Sequence, residues 1–325
     1  MAPMSAIAAP TSATDELPAI LWTWFADHSR DLPWRHADRT PWGVLTSEIM
    51  LQQTPVARVE PVWLKWMDRW PTPADLAAAT PADVIRAWGT LGYPRRALRL
   101  AQAATQIHDR FDGQVPSTYD ELTTLAGVGD YTAAAVLAFA FNRRSVVLDT
   151  NIRRVVSRIV SGQDSPCATS PTKLERSLAD SLVPEQDAAA ACWSMAVMEL
   201  GALVCRAGQP DCPACPVSDF CQWRTLGYPL DRVHRPARQT FKGTDRQARG
   251  QLMALLRESP EPVTLDQLAQ RWEPEQQRMR ALDTLISDGL VEPLPESLFR
   301  LPTGPEPTDT HPIAHLSTPD HGRSV

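Results

Sequence analysis

Residues 205–221 read CRAGQPDCPACPVSDFC and bring four of the six cysteines of the chain into one short stretch. Their spacing is C-x6-C-x2-C-x5-C, and prolines stand between them. Four thiolates this close can converge on one metal centre without a large core around them, and together they leave no open coordination position for a substrate. We therefore predict a structural or redox centre, not a hydrolytic metal, on Cys205, Cys212, Cys215 and Cys221.

The spacing of the cysteines does not by itself identify the metal of this centre. Zinc and an iron–sulfur cluster both suit four thiolates, although the wide outer gaps fit poorly with paired CxxC zinc knuckles. Two disulfides are the plainer alternative. They need an oxidising compartment, and nothing else in the chain resembles a secreted protein.

The chain has 325 residues, 43% hydrophobic and 22% charged, which is typical of a soluble protein with two domains or three small ones. It contains no apolar run of about 18 residues, so no membrane-spanning helix is predicted. Residues 1–14 lack the pattern of a signal peptide and are expected to be a disordered leader. We therefore expect a cytoplasmic protein with reduced cysteines.

A net charge of −6 argues against a general nucleic-acid binder, but the arginines are clustered locally. Because phosphate contacts depend on a local patch and not on the total charge, each cluster suits either a DNA-binding surface or a solvated helix face. One cluster comprises Arg86, Arg95, Arg96 and Arg99, and the other comprises Arg143, Arg144, Arg153, Arg154 and Arg158 around Asp149.

From residue 16 to about residue 203 the sequence predicts one helix after another and no strand. Apolar residues recur at helical spacing in the stretches 56–70 and 97–107. Residue types at the ends of these patterns predict caps and stops. The predicted N-caps before proline are Thr72, Thr80 and Ser170, the predicted capping box pairs Ser117 with Asp120, and the predicted stops are Gly89, Gly92 and Gly127.

Residues 243–302 are expected to form a small separate domain after a linker at 227–242. Three helical patterns followed by a segment suited to a short hairpin suggest a winged helix. The tail at 303–325 is rich in proline, histidine and threonine and is expected to be disordered. The predicted segments are Gln247–Arg257, Leu265–Trp272, Pro274–Gly289 and Leu290–Leu301.

A glycine turn lies between two helical patterns, where residues 125–133 read LAGVGDYTA. Gly127 and Gly129 permit a tight turn whose backbone amides point outward at the start of the next helix. Such amides can hold a DNA phosphate without sequence preference. Taken alone, a Gly-Val-Gly turn is weak support, since any helix–helix turn can use one.

Two carboxyl groups are candidates for catalysis. Asp149 follows an apolar run at a predicted helix start, where it also suits an N-cap, and nearby arginines are expected to lower its pKa. Glu48 stands alone in an apolar and neutral stretch, which is expected to raise its pKa and to suit a general acid, although a surface glutamate is the plainer alternative. Gln52 and Gln53 follow about one turn later.

The glycine turn, the later aspartate and the 6-2-5 cysteine spacing together resemble the endonuclease III superfamily of helix-hairpin-helix DNA glycosylases, over roughly residues 16–226. The segments SEIMLQQT at 47–54 and DLPWR at 31–35 look like the adenine glycosylase branch, whose members excise adenine mispaired with 8-oxoguanine. The resemblance implies an all-helical, two-lobed fold with DNA bound across the cleft. It implies a six-helix barrel lobe at 41–142, a cluster lobe made of 15–40 with 143–226, and a [4Fe–4S] cluster on the four cysteines.

The resemblance also implies roles for single residues. Glu48 would protonate N7 of the leaving adenine, and Asp149 would stabilise the oxocarbenium-like sugar electrostatically or by transient covalent capture. Asn151 and Tyr131 are expected to orient the acids and water. Bifunctional relatives carry a nucleophilic lysine at the position of Tyr131, so this chain is expected to be a monofunctional glycosylase that leaves an abasic site.

The implied partner is double-stranded DNA with an adenine mismatch, bound by a monomer without a membrane. Two departures from the family pattern matter. Many relatives have a second tyrosine as a wedge after Gly92-Tyr93, where this chain has Pro94, and residues 243–302 do not resemble the Nudix-like domain with which relatives read 8-oxoguanine. The expected DNA-binding residues are Trp34, Arg35, Gln52, Gln53, Tyr93, Gly127, Gly129 and Arg153.

Three other functions compete with this one. A thymine or uracil glycosylase has less need of an acid such as Glu48 at N7, and an endonuclease III-like lyase needs the lysine that Tyr131 replaces. A non-enzymatic iron–sulfur DNA-binding protein would gain nothing from Glu48 and Asp149, because carboxylates near phosphates weaken binding.

Overall fold

The computed structural model describes residues 16–166, 168–230 and 241–304. The expected leader at 1–14, ten residues of the expected linker and nearly all of the expected tail lie outside these ranges. Up to residue 226 the described chain is helical and contains no strand. Its helices are α1 (Leu17–His28), α2 (Pro41–Leu51), α3 (Val56–Arg69), α4 (Pro73–Ala77), α5 (Pro81–Trp88), α6 (Arg95–Arg110), α7 (Tyr119–Thr123), α8 (Asp130–Phe141), α9 (Thr150–Val156), α10 (Lys173–Leu182), α11 (Asp187–Leu203) and α12 (Gln222–Thr225).

The first lobe is built from α2–α8 around a core rich in tryptophan. It has seven helical segments, two of which, α4 and α7, are helices of only five residues. Two of its buried indole N–H groups donate to backbone carbonyls, whereas Trp66 Nε1 is buried without a hydrogen-bond partner among the described residues. Trp42 Nε1 donates to the Trp70 carbonyl over 3.1 Å, and Trp63 Nε1 donates to the Gly43 carbonyl over 2.9 Å.

The second lobe combines α1 with α9–α12, so segments far apart in sequence share one core. A single π-helical turn, Ser157–Ser161, continues α9. Helix α8 belongs to both lobes, since Ala133 and Val136 pack into the first core and Ala134 and Ala138 into the second. Its small side chains let two cores approach one helix from opposite sides, and the groove between the lobes opens beside it.

Two of the four predicted helix starts are correct, and two are displaced. Thr72 and Thr80 accept hydrogen bonds from the third residue of their helices, with proline at the first position, as predicted. The predicted capping box at Ser117 is wrong by one residue, because Thr118 accepts from the Glu121 amide. The predicted N-cap at Ser170 is wrong by two, because Thr172 forms a full capping box with Glu175.

The C-terminal domain contains three helices and a small sheet. The helices are α13 (Asp245–Glu258), α14 (Leu265–Arg271) and α15 (Glu275–Ser287), and the strands are β1 (Val263–Thr264), β2 (Glu292–Leu294) and β3 (Leu298–Arg300). The strands are antiparallel in the order β1-β3-β2, with Val263 opposite Phe299 and Pro293 opposite Phe299 on the other side. The predicted three helices and hairpin are confirmed, and β1 adds a strand that the sequence pattern was too short to show.

This domain packs on the first lobe. Ala82 and Ile85 of α5 are buried in the same core as the domain's own apolar residues. The Asp288 carboxylate bridges the junction, since it pairs with Arg95 of α6 over 3.1 Å and with Arg249 of α13 over 2.6 Å. Every helix in the described ranges is too short or too polar to cross a lipid bilayer.

Gly201 of α11 provides a test of how closely the second lobe is packed. A Cβ added there would lie 2.7 Å from Asn151 Cβ and 3.0 Å from the Asn151 carbonyl oxygen. Gly201→Ala is therefore expected to destabilise the protein by about 1–3 kcal/mol, because the start of α9 must shift. Gly250 of α13 has no atom within 4 Å of an added Cβ. Gly250→Ala is the matched control and should stabilise by about 0.5–1 kcal/mol.

Both variants are measured by urea unfolding followed by far-ultraviolet circular dichroism. Equal and small effects of the two substitutions would contradict the close contact between α11 and α9.

Candidate active site

Glu48 lies in the last turns of α2, a helix in which nine of eleven residues are buried. The residue is only 5% exposed, and its Oε2 accepts a hydrogen bond of 2.8 Å from the Tyr131 hydroxyl. Burial raises the pKa of Glu48 to about 7, although the Tyr131 hydrogen bond and the charge of Arg35 act in the opposite direction. The expectation of a raised pKa is confirmed, and the alternative of a surface glutamate is wrong.

Asp149 is the N-cap of α9, and its carboxylate is fully engaged. Its Oδ1 accepts from the Ile152 amide over 2.6 Å, and its Oδ2 accepts from Asn151 Nδ2 over 2.8 Å. Burial raises the pKa of Asp149, while these hydrogen bonds and the charge of Arg154 lower it. The expectation that neighbouring arginines bring the pKa below its usual value is therefore wrong, because the desolvation of the carboxyl group has the larger effect.

Both acids face one cavity of about 760 Å³ between the two lobes. Glu48 comes from the first lobe, while Asp149 and the sulfur-containing side chains of Met195 and Met198 come from the second. The negative charge of Asp149 contributes to the raised pKa of Glu48, so the two carboxyl groups influence each other across the space. The cavity thus holds one carboxyl group that is easily protonated beside another whose hydrogen-bond donors favour the charged form.

A buried ion-pair network forms part of the wall, and sequence analysis missed its central residue. Glu199 of α11 is fully buried and accepts from Arg30 Nε over 2.7 Å and from Arg35 Nη2 over 2.9 Å. Burial by itself would raise the pKa of Glu199, but the two guanidinium groups bring it down to about 2. A lone acid in the apolar run of α11 was the available signal. Arg35, predicted to bind DNA, lines the cavity, and its Nη1 is buried without a hydrogen-bond partner among the described residues.

The other residues of the two diagnostic segments lie at the same cavity. Trp34 lines it but is 5% exposed and packs edge-on against Trp63, so only part of its ring is available. Gln52 and Gln53 follow the end of α2 and line the cavity, with Gln52 Nε2 3.3 Å from Thr132 Oγ1 and Gln53 at a φ of 56°.

Arg96 holds the end of α2 in place, and its role was not predicted. It is 8% exposed and donates to the carbonyl groups of Ile49 (2.9 Å), Met50 (3.1 Å) and Gln52. Burial lowers the pKa of Arg96 to about 10. Although Arg96 belongs to a predicted basic patch, its charge caps a helix C-terminus and is not available at the surface.

The glycine turn is formed as predicted between α7 and α8. Gly127 has a φ of +80°, and Gly129 is the N-cap of α8 without a side-chain cap, which leaves the first amides of the helix free for an anion. The turn lies directly on α6, since a Cβ added at Gly127 would be 3.1 Å from Arg99 Cβ. Arg99 is exposed, and the start of its side chain lies against Gly127.

The predicted phosphate contact at Arg153 is not supported by its surroundings. Arg153 is 7% exposed, and its guanidinium donates to Glu175 Oε1 over 2.8 Å and to the carbonyl groups of Ala168 and Thr169. The side chain therefore links α9 to the segment before α10. Tyr93, by contrast, is 44% exposed in a turn with a φ of 48°.

The four cysteines line one small cavity in the second lobe, and no described residue is shared between its lining and that of the candidate catalytic site. Arg158, 1% exposed, donates to Cys205 Sγ over 3.4 Å and pairs with Asp164 over 2.7 Å. No group of three or more His, Cys, Asp or Glu side chains in the described ranges is arranged to hold a single metal ion. The Arg158 guanidinium at the edge of this cavity suits sulfur ligands that carry negative charge.

Residues 46–183 match the profile of the HhH-GPD superfamily of base excision DNA repair proteins. The chain is 49% identical over 286 residues to the adenine DNA glycosylase of Mycolicibacterium smegmatis, covering 87% of this chain and 95% of that protein. It is 47% identical over 285 residues to that of Mycobacterium tuberculosis H37Rv, covering 87% and 92%. The human adenine DNA glycosylase is 38% identical over 212 residues, which is 63% of this chain and 38% of the human protein.

Solved structures agree on the fold. A thermostable thymine-DNA glycosylase superposes with a TM-score of 0.59 at 25% identity and covers 66% of this chain and 97% of its own. A non-covalent endonuclease III–DNA complex superposes with a TM-score of 0.56 at 23% identity and covers 67% and 99%. The expected helical, two-lobed architecture is confirmed.

The hydrogen bond between Tyr131 and Glu48 yields a direct prediction about protonation. Because the phenol stabilises the charged carboxylate, Tyr131→Phe is expected to raise the pKa of Glu48 above its value of about 7. Glu48 is neutral below its pKa and charged above it, so the protonated form should persist to higher pH in the variant. The measurement is the pH-difference infrared spectrum of protonated carboxyl groups, with the Glu48 band assigned by its loss in Glu48→Gln.

The matched control is Tyr119→Phe, since Tyr119 is an exposed tyrosine outside the cavity. An unchanged or lower titration midpoint in Tyr131→Phe would show that the phenol does not stabilise the Glu48 carboxylate.

Proposed function

Since the chain belongs to the adenine DNA glycosylases of the HhH-GPD superfamily of base excision DNA repair proteins, we propose that it hydrolyses the N-glycosidic bond of adenine mispaired with 8-oxoguanine or guanine. The observation that carries this reaction is the pair of carboxyl groups, Glu48 and Asp149, at one cavity between two lobes. As a DNA glycosylase it acts on DNA, and we place its work on double-stranded chromosomal DNA in the cytoplasm as a monomer.

Glu48 acts as the general acid. Adenine leaves poorly as an anion, so the base must receive a proton as the bond to the sugar breaks. A carboxyl group whose burial raises its pKa to about 7 is protonated in a large fraction of molecules near neutral pH. The Tyr131 hydroxyl holds the Oε2 atom of Glu48, which directs the other oxygen toward the cavity and N7 of an extruded adenine.

Asp149 supports the sugar as positive charge develops on it. Its carboxylate accepts two N–H donors, from Ile152 and Asn151, which favour the ionised form against the effect of burial. A carboxylate fixed by the start of α9 can stabilise an oxocarbenium ion electrostatically or capture it briefly as an ester, after which water completes hydrolysis. Asn151 in turn accepts from Arg154 over 2.8 Å, so it is a positioning residue for Asp149.

The reaction stops at the abasic site. A lyase step needs an amine that forms a Schiff base with the sugar, and no lysine is among the described residues that line the cavity. Tyr131 occupies the sequence position at which bifunctional relatives carry the nucleophilic lysine. Its hydroxyl donates a hydrogen bond to Glu48. This arrangement supports a monofunctional enzyme over an endonuclease III-like lyase.

Before excision, the adenine must be turned out of the double helix into the cavity. Leaving the helical stack costs a few kcal/mol, and less at a mismatch. Gln52 and Gln53 at the edge of the cavity would fill the space that the adenine vacates, because their amides offer both donors and acceptors. The free amides of the Gly127–Gly129 turn, with Arg99 beside them, would bind a phosphate on the backbone.

The four cysteines fit a [4Fe–4S] cluster. They surround a shared space, they supply one thiolate for each of the four irons, and Arg158 offers an N–H donor to Cys205 Sγ. Bound there, the cluster would fix the loop at 205–221 against α9 and α11. No step of the base excision involves it.

The test of the reaction uses duplexes with adenine opposite 8-oxoguanine, adenine opposite guanine, and thymine opposite guanine. We expect strand breaks at adenine only, and only after treatment with alkali, which cleaves an abasic site. Breaks without alkali would indicate lyase chemistry, and breaks at thymine would indicate a pyrimidine glycosylase like the structural neighbour.

Glu48→Gln tests the role of Glu48 in the same assay. It keeps the shape of the side chain and removes the proton donor, so excision should fall by at least about 100-fold while duplex binding is retained. Substantial residual excision would remove Glu48 from its role as general acid.

The cluster assignment has its own test. The purified protein is expected to be brown, with a broad visible absorption and close to four iron atoms per chain. Cys215→Ser should lose this absorption, whereas Cys192→Ser, at a half-buried cysteine outside the loop, should retain it. A colourless protein that contains zinc would contradict the assignment.

A further inference from the structure

The turn that carries Tyr93 is fixed to the edge of the active-site cavity. Thr54, which lines the cavity, donates from Oγ1 to the Leu91 carbonyl over 3.2 Å. Arg96 joins the same two segments, since it donates to Thr54 Oγ1 over 2.9 Å and to the Gly92 carbonyl over 3.1 Å. Its guanidinium also lies 5.5 Å from the centre of the Tyr93 ring. Tyr93 therefore stands beside the mouth of the cavity.

One side chain from the end of the linker and one from α13 extend this edge. The Arg246 guanidinium carbon lies 5.0 Å from the centre of the Tyr93 ring and 5.9 Å from the centre of the Phe241 ring. Phe241 is 57% exposed and Tyr93 is 44% exposed, so both rings present a face or an edge to solvent. We name Tyr93, Phe241 and Arg246 the aromatic–arginine cluster.

The exposure of Phe241 occurs at an ordered turn. The Phe241 carbonyl accepts from Thr244 Oγ1 over 2.8 Å, and Thr244 in turn caps α13. The next turn residue, Gly243, donates its amide to Gln247 Oε1 over 2.7 Å and accepts from Gln277 Nε2 over 3.0 Å. Phe241 is thus an exposed aromatic ring on a hydrogen-bonded turn, where it is available for a stacking contact.

The charge of the cluster suits DNA. Arg246 is exposed, and no carboxylate in the described ranges pairs with it. Its neighbour Asp245 is engaged by Arg280 over 3.3 Å and by Gln277 Nε2 over 2.8 Å. Arg99, beside the phosphate-binding turn, is exposed on the helix that begins immediately after Tyr93 and Pro94. The positive charge available here comes from Arg99 and Arg246. Arg95 of α6 pairs with Asp288, and Arg96 is buried.

We infer that the aromatic–arginine cluster is a second DNA-binding surface, through which the C-terminal domain holds the duplex next to the extruded adenine. Phe241 stacks on a base or sugar, and Arg246 binds a phosphate. This inference rests on the proposed function for the position of the adenine. The matches of 286 and 285 residues to the two mycobacterial proteins are too long to end with the catalytic lobes and must reach into this domain.

The experiment uses the full-length protein, because removal of the domain would expose Ile85 and Ala82 of the first lobe. The probe is a duplex with 2′-fluoro-adenosine opposite 8-oxoguanine, in which the fluorine destabilises the oxocarbenium ion and prevents excision. The dissociation constant is measured by fluorescence anisotropy at several salt concentrations for wild type, Phe241→Ser, Arg246→Gln and Arg271→Gln. Arg271 is the matched control, since its charge in the same domain is already paired with Glu258.

Phe241→Ser is expected to weaken binding roughly 5- to 100-fold with an unchanged salt dependence, as for the loss of one stacking contact. Arg246→Gln is expected to reduce the slope of log K against log salt by about 0.9, as for the loss of one phosphate contact. Arg271→Gln should change neither quantity.

Two outcomes would overturn the inference. The first is wild-type affinity and salt slope in both cluster variants. The second is weaker binding with an unchanged salt slope in Arg246→Gln together with a lower melting temperature, which would show that the cation–π contact only holds the domains together. Excision of adenine by the wild-type protein, measured on a duplex without the fluorine, distinguishes failure of this inference from failure of the proposed reaction. Normal excision with unaffected cluster variants rejects this inference alone, whereas no excision with weakened cluster variants rejects only the proposed reaction.

Discussion

Glu48 is a carboxyl group placed where water cannot stabilise its charge, near the end of a helix that is buried on nearly all sides. Removing a carboxylate from water costs far more than removing the neutral acid, so the group keeps its proton to a pKa of about 7. The surrounding structure limits this effect, because the Tyr131 hydroxyl and the Arg35 guanidinium both favour the charged form. Under the proposed function, this acid keeps its proton near neutral pH and can still release it to the leaving base.

The placement of this acid depends on how α8 is shared. The helix supplies small residues to both cores and also carries Tyr131, which reaches Glu48 across the groove. Bulkier residues in place of Ala134 and Ala138 would separate the second core from the helix and widen the groove. The same helix begins at Gly129, where free amides meet solvent. One element therefore fixes the distance between the lobes, the partner of the acid and the expected phosphate contact.

Features set by residues close together in sequence could be predicted, whereas contacts between residues far apart in sequence could not. The lone Glu48 in an apolar run, the glycine turn and the N-caps at Thr72 and Thr80 all follow from local pattern. The partner of a buried arginine does not, because Arg30 and Glu199 are 169 residues apart in sequence. The prediction that Arg153 binds phosphate failed to foresee its partner in the same way. The sequence of a basic segment does not show whether the fold places a carboxylate beside one of its arginines.

A chain with a net charge of −6 can bind a polyanion only through local positive charge, and several of its arginines are paired inside the fold. Three arginines have their partners inside the protein. Arg96 binds carbonyl groups at the C-terminus of α2, Arg153 pairs with Glu175, and Arg158 pairs with Asp164. They hold the groups around the cavity in place, and they add little to the field outside. Under the proposed function, the attraction for phosphate comes from exposed arginines near the glycine turn and the domain junction. Because few charges are available there, their positions, and not the total charge, determine where DNA can bind.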